Sequence, residues 1–402
     1  MVAVDREELR TMAAGLQGDG RDAATGTGRI ACAERLGAGP QVRRLLEIGR
    51  RGLPLAYDAG TGEFAQTVRR SNEPGVPVRR EGTSLRYAAM AALGLSRLDL
   101  GEQRAVLGGI TAAELARATG VLALEQPDPG AVAIAAWAVA EVAGTVDVAL
   151  FSRLGAEISS GRPIETVALS WMVTAAVAAG GDLLAMGGAM SARLLAEQGP
   201  DGIFPHVVPA GSQNRWRRHV GSFADQVYPV QALARMSRAS GDTELLQAAE
   251  RTADRICALQ GPDGQWWWHY DARTGDVVER YPVYSVHQHA MAPMTLFDLA
   301  EAGGTDRTAE IVRGLRWLDD HPEVDEPLVA DTVGLIWRKA GRREPAKAVR
   351  RISAVTTALR PGMHLPGLDR AFPATRVDHE CRPYELGWLL YAWLPPRGGN
   401  RS

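Results

Sequence analysis

Long apolar stretches alternate along this chain with amphipathic segments. In the apolar stretches, apolar residues occupy nearly every position, which is typical of helices that are buried on all sides. The amphipathic segments carry charges at helical spacing, and alternating runs of Val, Ile and Thr that would indicate strands are almost absent. This pattern predicts an all-α protein. The apolar stretches are residues 86–98, 131–143, 167–179, 225–237 and 287–300, and the amphipathic segments include residues 190–198, 244–260 and 308–319.

An internal repeat organises these helices. The segment 198–204 (QGPDGIF) returns as 260–266 (QGPDGQW), a displacement of 62 residues, and the register continues without a gap, so that Asp225 corresponds to His287. Each unit reads as an amphipathic helix, a QGPDG turn, a loop, a buried helix and a Gly-rich turn. Residues 126–130 (QPDPG) form a degenerate third copy. Repeats of this length indicate stacked units, none of which buries its apolar face alone.

Buried helices alternating with amphipathic ones predict a closed double ring, an (α/α)6-type toroid of about six helical hairpins. Its sixth inner helix would begin near Asp331 or near Tyr384. We expect residues 1–50 to form a helical lead-in, residues 51–394 a single toroid domain, and residues 395–402 a flexible tail.

The repeated turn carries a resemblance. Gln260, Gly264 and Trp266, with Phe204 in the earlier copy, resemble the QW repeat of the terpenoid cyclase and protein prenyltransferase toroids, and are similar to a turn in six-hairpin sugar-processing enzymes. The resemblance implies the toroid fold. In physical terms Pro-Asp-Gly reverses the chain, so we expect Asp263 and Gly264 to serve the fold.

The motifs that would define an isoprenoid enzyme are weak. The sequence has no D-x-D-D run, which a class II terpene cyclase would show. Asp319, Asp320 and Glu323 have the spacing of a class I metal motif, but they end an amphipathic helix and no second motif accompanies them. Asp378 and Cys381, with His379 between them, could hold zinc as in a prenyltransferase, or form an ordinary loop. No residue is assigned as a metal ligand.

Composition limits the class of partner. The chain has 45 Lys and Arg against 47 Asp and Glu, and this near-neutral charge argues against a nucleic-acid binder. Three scattered cysteines fit a reducing compartment. The first residues lack the apolar core of a signal peptide, and no apolar run is long enough to span a membrane. We expect a cytoplasmic protein with a small-molecule or oligosaccharide substrate, and the sequence leaves any cofactor open.

Polar and aromatic side chains concentrate between Trp266 and His289. In the repeat this stretch is the loop between an outer and an inner helix, which should overhang one mouth of the ring. Its aromatic rings could stack on sugars or pack in the core, and its Arg, His and Asp side chains could bind polar groups. The candidate substrate-binding residues in this stretch are Trp267, Trp268, His269, Tyr270, Arg280, Tyr281 and Tyr284.

Further candidates lie where buried helices begin. In a closed double ring all inner helices run the same way, so we expect Asp225, His287, Arg382 and Glu385 to line one mouth. Arg86 and Arg382 could clamp a carboxylate or phosphate, or form structural ion pairs. The candidate catalytic residues are Asp225, His287, Glu385, His289 and Asp271, and the remaining substrate-binding candidates are Arg86, Tyr228, Arg382 and Tyr384.

This mixture of acid, imidazole, guanidinium and aromatic groups favours a carbohydrate-active toroid enzyme. It would act on a saccharide or glycoconjugate, anionic in our prediction, by general acid/base chemistry as a hydrolase, lyase or epimerase. Two alternatives stay open: an isoprenoid-processing enzyme of the same fold, and a noncatalytic binding protein.

Overall fold

Helices make up most of residues 26–397, the part of the chain that the computed structural model describes. A π-helical turn, His287–Met291, leads into α12. In chain order the α-helices are α1 (Gly26–Arg35), α2 (Gly39–Ala56), α3 (Leu85–Leu95), α4 (Leu100–Val106), α5 (Ala112–Ala123), α6 (Pro129–Val142), α7 (Val148–Ser159), α8 (Thr166–Ala179), α9 (Leu183–Leu195), α10 (Ala224–Ser240), α11 (Thr243–Ala258), α12 (Ala292–Glu301), α13 (Thr308–Asp320), α14 (Ala348–Leu359), α15 (Leu368–Ala371) and α16 (Pro383–Trp393).

Six of these helices form a closed inner ring. Helices α3, α6, α8, α10, α12 and α16 each pack against the next, and α16 closes the ring by packing against both α12 and α3. Helices α2, α5, α7, α9, α11 and α13 pack outside them. The predicted all-α toroid of six hairpins is confirmed. The sixth inner helix is the one near Tyr384, whereas Asp331 lies in a turn between two short strands.

The inner helices are apolar all round because both of their sides are covered. In α6, every residue from Gly130 to Ala140 is buried, and Asp128 caps its first turn by accepting from the backbone N–H groups of Gly130 and Ala131. The outer helix α11 instead buries one stripe, which includes Leu245. The contrast between apolar and amphipathic segments in the sequence is therefore the contrast between the two rings.

The repeated turns make the same contacts in both copies. Gln198 Nε2 donates to the carbonyl of Ala248 at 2.8 Å, and Gln260 Nε2 donates to the carbonyl of Glu310 at 2.9 Å. Each glutamine thus ties its turn to the next outer helix. Gly264 has a φ of +97°, and a Cβ atom there would lie 2.1 Å from the carbonyl oxygen of Arg313. Only glycine fits this close approach.

Short strands occupy the connections, and the sequence pattern did not indicate them. The longest pair is a hairpin of β2 and β3, whose polar residues hide the strand pattern. In chain order the strands are β1 (Tyr57–Asp58), β2 (Glu63–Arg70), β3 (Val78–Thr83), β4 (Ile164–Glu165), β5 (Val207–Val208), β6 (Val220–Ser222), β7 (His269–Asp271), β8 (Val277–Glu279), β9 (Val283–Tyr284), β10 (Val329–Ala330), β11 (Leu335–Ile336), β12 (Lys339–Gly341), β13 (Arg376–Asp378) and β14 (Glu380–Cys381).

All strand pairs are antiparallel, and they form five small sheets within the described residues. β2 pairs with β1, β3 and β14, while β12 pairs with β9 and β13. β7 lies between β6 and β8, and the remaining pairs are β4 with β5 and β10 with β11. The strands β6, β9 and β14 precede inner helices, so the sheets hold the approaches to the ring.

A buried ionic network fills the end of the ring where the inner helices finish. Arg235 donates to Asp298 at 2.6 Å and to the hydroxyl of Tyr391 at 2.7 Å. Tyr391 donates in turn to Glu141 at 2.6 Å. Arg29 of α1 also donates to Asp298, at 2.7 Å. These contacts join α1, α6, α10, α12 and α16, so charge pairing reinforces ring closure at this end.

The predicted boundaries of the toroid domain, near residues 50 and 395, lie within the described residues. Residue 50, the predicted end of the lead-in, lies inside α2, which packs against α16. Residues 1–25 and 398–402 lie outside the described residues, so the lead-in and the tail stay predictions there. No helix between residues 26 and 397 combines the length and the apolar character that a membrane span needs.

Candidate active site

The inner helices begin at one end of the ring, and side chains from different helices meet there. Arg86 forms an ion pair with Asp128 before α6, and its guanidinium lies 5.6 Å from the ring of Trp171 in α8. Trp171 in turn packs edge-on against Tyr228 of α10. Tyr228 accepts a hydrogen bond at 2.8 Å from Trp388 of α16. This end of the ring is therefore one continuous set of polar and aromatic groups.

Asp225 lies fully buried in the first turn of α10. Its carboxylate accepts hydrogen bonds at 2.7 Å from both the backbone N–H and the hydroxyl of Ser222. His206 approaches the same carboxylate, with Nδ1 at 3.1 Å from Oδ2. The charge of Asp225 raises the pKa of His206 to about 9, although burial opposes the change. At neutral pH the two side chains thus form an ion pair, and the His206 side chain is 40% exposed.

Glu385 lies fully buried in the first turn of α16, and among the described residues neither of its carboxylate oxygens has a hydrogen-bond partner. The nearest cation is Arg338, with Nε at 3.6 Å from Oε1. Burial raises the pKa of Glu385 to about 7, and the positive charges of Arg338 and Arg382 only partly oppose this rise. Glu385 is therefore a carboxyl group that gains or loses its proton near neutral pH.

Two tyrosines lie near the start of α16: Tyr384, which precedes Glu385 in that helix, and Tyr87 of α3. Tyr384 packs against Tyr87 of α3, with ring centroids 4.8 Å apart. The hydroxyl of Tyr87 accepts a hydrogen bond at 2.7 Å from Arg382. Burial and the charge of Glu385 raise the pKa of Tyr384, so it stays a neutral phenol. Both tyrosines are half-buried.

Trp268 connects the Asp225 side of the site to the Glu385 side. Its indole lies nearly parallel to the imidazole of His287 at 6.0 Å and 4.7 Å from the ring of Tyr284. The guanidinium of Arg350 lies 5.2 Å from its ring. Tyr284 in turn contacts the guanidinium of Arg338 at 5.1 Å. Trp268 is thus enclosed by neighbouring side chains, which limits the area that it offers to a ligand.

The three buried imidazoles near this end are neutral. Burial lowers the pKa of His287 and of His289 to about 3. Burial, followed by the charges of Arg350 and Arg217, lowers the pKa of His269 as well. Neither ring nitrogen of His289 has a hydrogen-bond partner among residues 26–397. Because their pKa values are lowered, these imidazoles are weak bases that stay neutral at neutral pH, whereas His206 is charged.

The structure does not bring every predicted residue to this end. The Asp271 carboxylate accepts from Arg273 at 2.7 Å, next to the buried His219, and it faces α14. Trp267, Arg280 and Tyr281 line a separate groove of about 780 Å³ beside the repeated turn. Tyr270 is fully buried. Asp271 and the three groove residues therefore lie away from the end of the ring where the inner helices begin.

Four charged residues at this end were missed by sequence reasoning: His206, Arg217, Arg338 and Arg350. His206 had one detectable signal, because it is the repeat counterpart of Trp268. No local sequence pattern marked the three arginines, Arg217, Arg338 and Arg350. Each lies just before or at the start of a strand or helix, and tertiary packing decides which residues it meets there. The predicted cations Arg86 and Arg382 are present, but Asp128 and Tyr87 already contact them.

The loop before α16 does not assemble a metal site. Asp378 contacts Lys339 at 2.9 Å, His379 contacts Glu326 at 3.0 Å, and Cys381 is buried. Within residues 26–397 no group of three or more His, Cys, Asp or Glu side chains is arranged to hold a metal ion. The zinc alternative for Asp378, His379 and Cys381 therefore has no geometric support.

Comparison with known proteins defines the fold. No family model and no curated protein matches the sequence. Among solved structures, an unsaturated glucuronyl hydrolase specific for heparin is similar with a TM-score of 0.54 at 12% identity, over 87% of this chain and 96% of that one. The Lin0763 protein from Listeria innocua is similar with a TM-score of 0.51 at 11% identity, over 87% and 95%. The chain is a six-hairpin (α/α) toroid. At this level of identity, the likeness of the toroid to these two structures concerns the fold alone.

Proposed function

We propose that this toroid acts on a saccharide or glycoconjugate at the end where its inner helices begin, with Glu385 as the general acid. The observation that carries the proposal is the state of Glu385: it is buried, has no hydrogen-bond partner on either oxygen among the described residues, and has a pKa of about 7. A carboxyl group with such a pKa retains a proton for a leaving oxygen near neutral pH.

A second carboxylate at the same end supports hydrolysis. Asp225 is held by Ser222 and His206, so its orientation is fixed while that of Glu385 is not constrained by hydrogen bonds. Glycoside hydrolysis uses two carboxyl groups in different environments, one that donates a proton and one that acts as base or nucleophile. We assign Asp225 to the second role.

Saccharides are the favoured substrate class for two reasons. Tyr87 and Tyr384 form a half-buried aromatic surface beside Glu385, and aromatic faces of this kind stack on sugar rings. The fold is also shared with an unsaturated glucuronyl hydrolase, which supports a sugar substrate by analogy of fold.

Epimerisation is a second candidate, favoured by one observation. His287 and His269 are imidazoles in contact with Trp268, and imidazole is the side chain that most often transfers protons in enzymes. Burial lowers the pKa of both, which makes them weak bases and places epimerisation behind hydrolysis. In that reaction the histidines, and not Glu385, would carry the chemistry.

The test compares E385Q, D225N and H287Q with the natural sequence on a panel of neutral and acidic glycosides and reducing sugars. Hydrolysis predicts a loss of at least about a hundredfold in kcat for E385Q and D225N. Epimerisation predicts that loss for H287Q, with E385Q active. The matched control is E326Q, because Glu326 is 61% exposed and lies outside the ring. Folded protein without turnover on any sugar, or a co-purified prenyl compound, would contradict the proposal.

A further inference from the structure

Two arginines near Asp225 lack the partners that arginines at such sites normally have. Arg217 and Arg350 are both half-buried, and within residues 26–397 neither guanidinium donates to a carboxylate, a carbonyl or a hydroxyl. The guanidinium of Arg350 lies 5.2 Å from the ring of Trp268. The donors of both guanidinium groups thus remain open to solvent and are free to bind a ligand at this end of the ring.

The two guanidinium groups also repel each other. Burial, and then the charge of Arg350, lower the pKa of Arg217, and Asp225 only partly opposes this change. Both arginines also lie close enough to His269 to lower its pKa. A protein gains no stability from holding two cations together in this way, so the arrangement points to a ligand that neutralises them.

The local balance of charge is positive. His206 is cationic at neutral pH because Asp225 raises its pKa to about 9. The Asp225 carboxylate is already shared between His206 and Ser222, so its hydrogen bonds are not available to Arg217 and Arg350. Glu165, which also raises the pKa of His206, is the other acid near this cluster.

We infer that Arg217 and Arg350 bind an oxyanion of the substrate, a carboxylate or a sulfate, beside Trp268. This site differs from the clamp that the sequence suggested, since Arg86 is paired with Asp128 and Arg382 with Tyr87. Guanidinium groups match planar or tetrahedral oxyanions through two parallel N–H donors. The oxyanion site does not depend on the proposed function. Only the statement that a sugar carries the oxyanion rests on that proposal.

The first experiment measures binding by calorimetry of glucuronate, glucose 6-sulfate and glucose at constant ionic strength. We expect the natural protein to bind one of the two anionic sugars more tightly than glucose, and R217Q and R350Q each to reduce that preference at least about tenfold. The preferred anion distinguishes a carboxylate site from a sulfate site. R218Q and R351Q are matched controls, because Arg218 and Arg351 are exposed neighbours in sequence, and they should retain the preference. An equal preference in R217Q and R350Q, or sugar binding by the natural protein without any preference for an anionic sugar, would overturn the inference.

The second experiment separates this inference from the proposed function. Inorganic sulfate, with chloride as the ionic-strength control, should raise the Tm of the natural protein by more than that of the double variant R217Q/R350Q, in which only the nonspecific stabilisation by sulfate remains. Without sulfate, R350Q should keep or raise the Tm, because it removes a repulsion; a structural role would instead lower it. Sulfate binding without sugar binding would retain the oxyanion site and reject the saccharide, whereas sulfate stabilisation equal in both proteins would reject the site.

Discussion

Arg338 Nε lies 3.6 Å from Glu385 Oε1, too far for a hydrogen bond, and both atoms are buried without another partner among the described residues. Arg338 is held away by its other contacts, with Glu380 at 3.3 Å and the ring of Tyr284 at 5.1 Å. The anion of Glu385 therefore meets a nearby positive charge, but among the described residues no donor reaches it in good hydrogen-bond geometry. This gap explains why burial prevails over charge in setting its pKa.

The first prediction concerns stability against pH. Between about pH 4.5 and about pH 7 the folded state keeps a proton on Glu385 that the unfolded state has released, so stability falls as pH rises through this window. E385Q removes that dependence. By urea unfolding, E385Q should gain roughly 2–3 kcal/mol relative to the natural protein between pH 5 and pH 8. The control E326Q should show no such gain, and a difference that is constant with pH would contradict the assigned pKa.

The second prediction concerns the pH dependence of turnover on the proposed substrate class. If Glu385 is the general acid, only its protonated form donates, so kcat should fall tenfold per pH unit above about pH 7. R338Q removes a charge that lowers the pKa of Glu385, so it should move this limb to higher pH. A limb that stays in place in R338Q would show that another group controls it.

The third prediction concerns the ion pair of His206 and Asp225. Because the pKa of His206 is raised to about 9, the stabilisation from this pair is fully present below about pH 6.5 and is lost as pH rises toward 9. NMR titration of the His206 ring, assigned with H206Q, should give a pKa near 9. D225N should return it toward its usual value, and E165Q should lower it by less. Equal shifts in the two variants would show that Asp225 is not the main partner.

The ring was predictable from the sequence because its signals are local. The apolar character of α6 indicates a helix buried on all sides, and the spacing of Gln198 and Gln260 indicates a repeated turn. Both signals lie within a single helix or turn. The cations at the mouth were not predictable in this way. Arg338 and Arg350 reach the site from connections between α13 and α16, whose path depends on antiparallel pairing between distant strands.

Asp271 is a residue that the sequence predicted at the mouth and that the structure places elsewhere. In the sequence it stands among the aromatic residues that lead to the mouth, but its position in β7 opposes Val220 and directs its carboxylate to Arg273. Successive side chains in a strand point to opposite faces, so a position error of one residue reverses the interpretation. Proximity in sequence therefore identified the correct loop without identifying which of its residues face the mouth.

The fourth prediction separates two reasons for glycine. Gly264 and Gly241 both have positive φ, of +97° and +78°, but a Cβ atom meets the Arg313 carbonyl at Gly264 and open space at Gly241. G264A should therefore lower the free energy of unfolding by about 1–3 kcal/mol more than G241A. Urea unfolding with activity per folded molecule tests this. Equal losses, or lost activity with unchanged stability in G264A, would contradict a role in the fold.

The fifth prediction concerns the ionic network at the far end of the ring. Burial raises the pKa of Asp298, but Arg235 and Arg29 outweigh this effect and hold it below its usual value. D298N should destabilise the protein by about 3–5 kcal/mol, because it removes the negative charge that the buried Arg29 and the half-buried Arg235 share. E301Q is the control and should cost less, since among the described residues Glu301 pairs with one arginine, Arg29. A smaller loss for D298N than for E301Q would be contrary to this assignment.

Closure by α16 has a consequence for biosynthesis. The helix that seals the ring against α3 and α12 also carries Glu385, and more than 280 residues separate it from α3 along the chain. While the ribosome is still making the preceding hairpins, the apolar sides of α3 and α12 have no partner. When α16 packs into the ring, it places Glu385 and buries these surfaces in the same late step. A nascent chain that stalls before residue 383 would lack Glu385 and would present these apolar surfaces to chaperones.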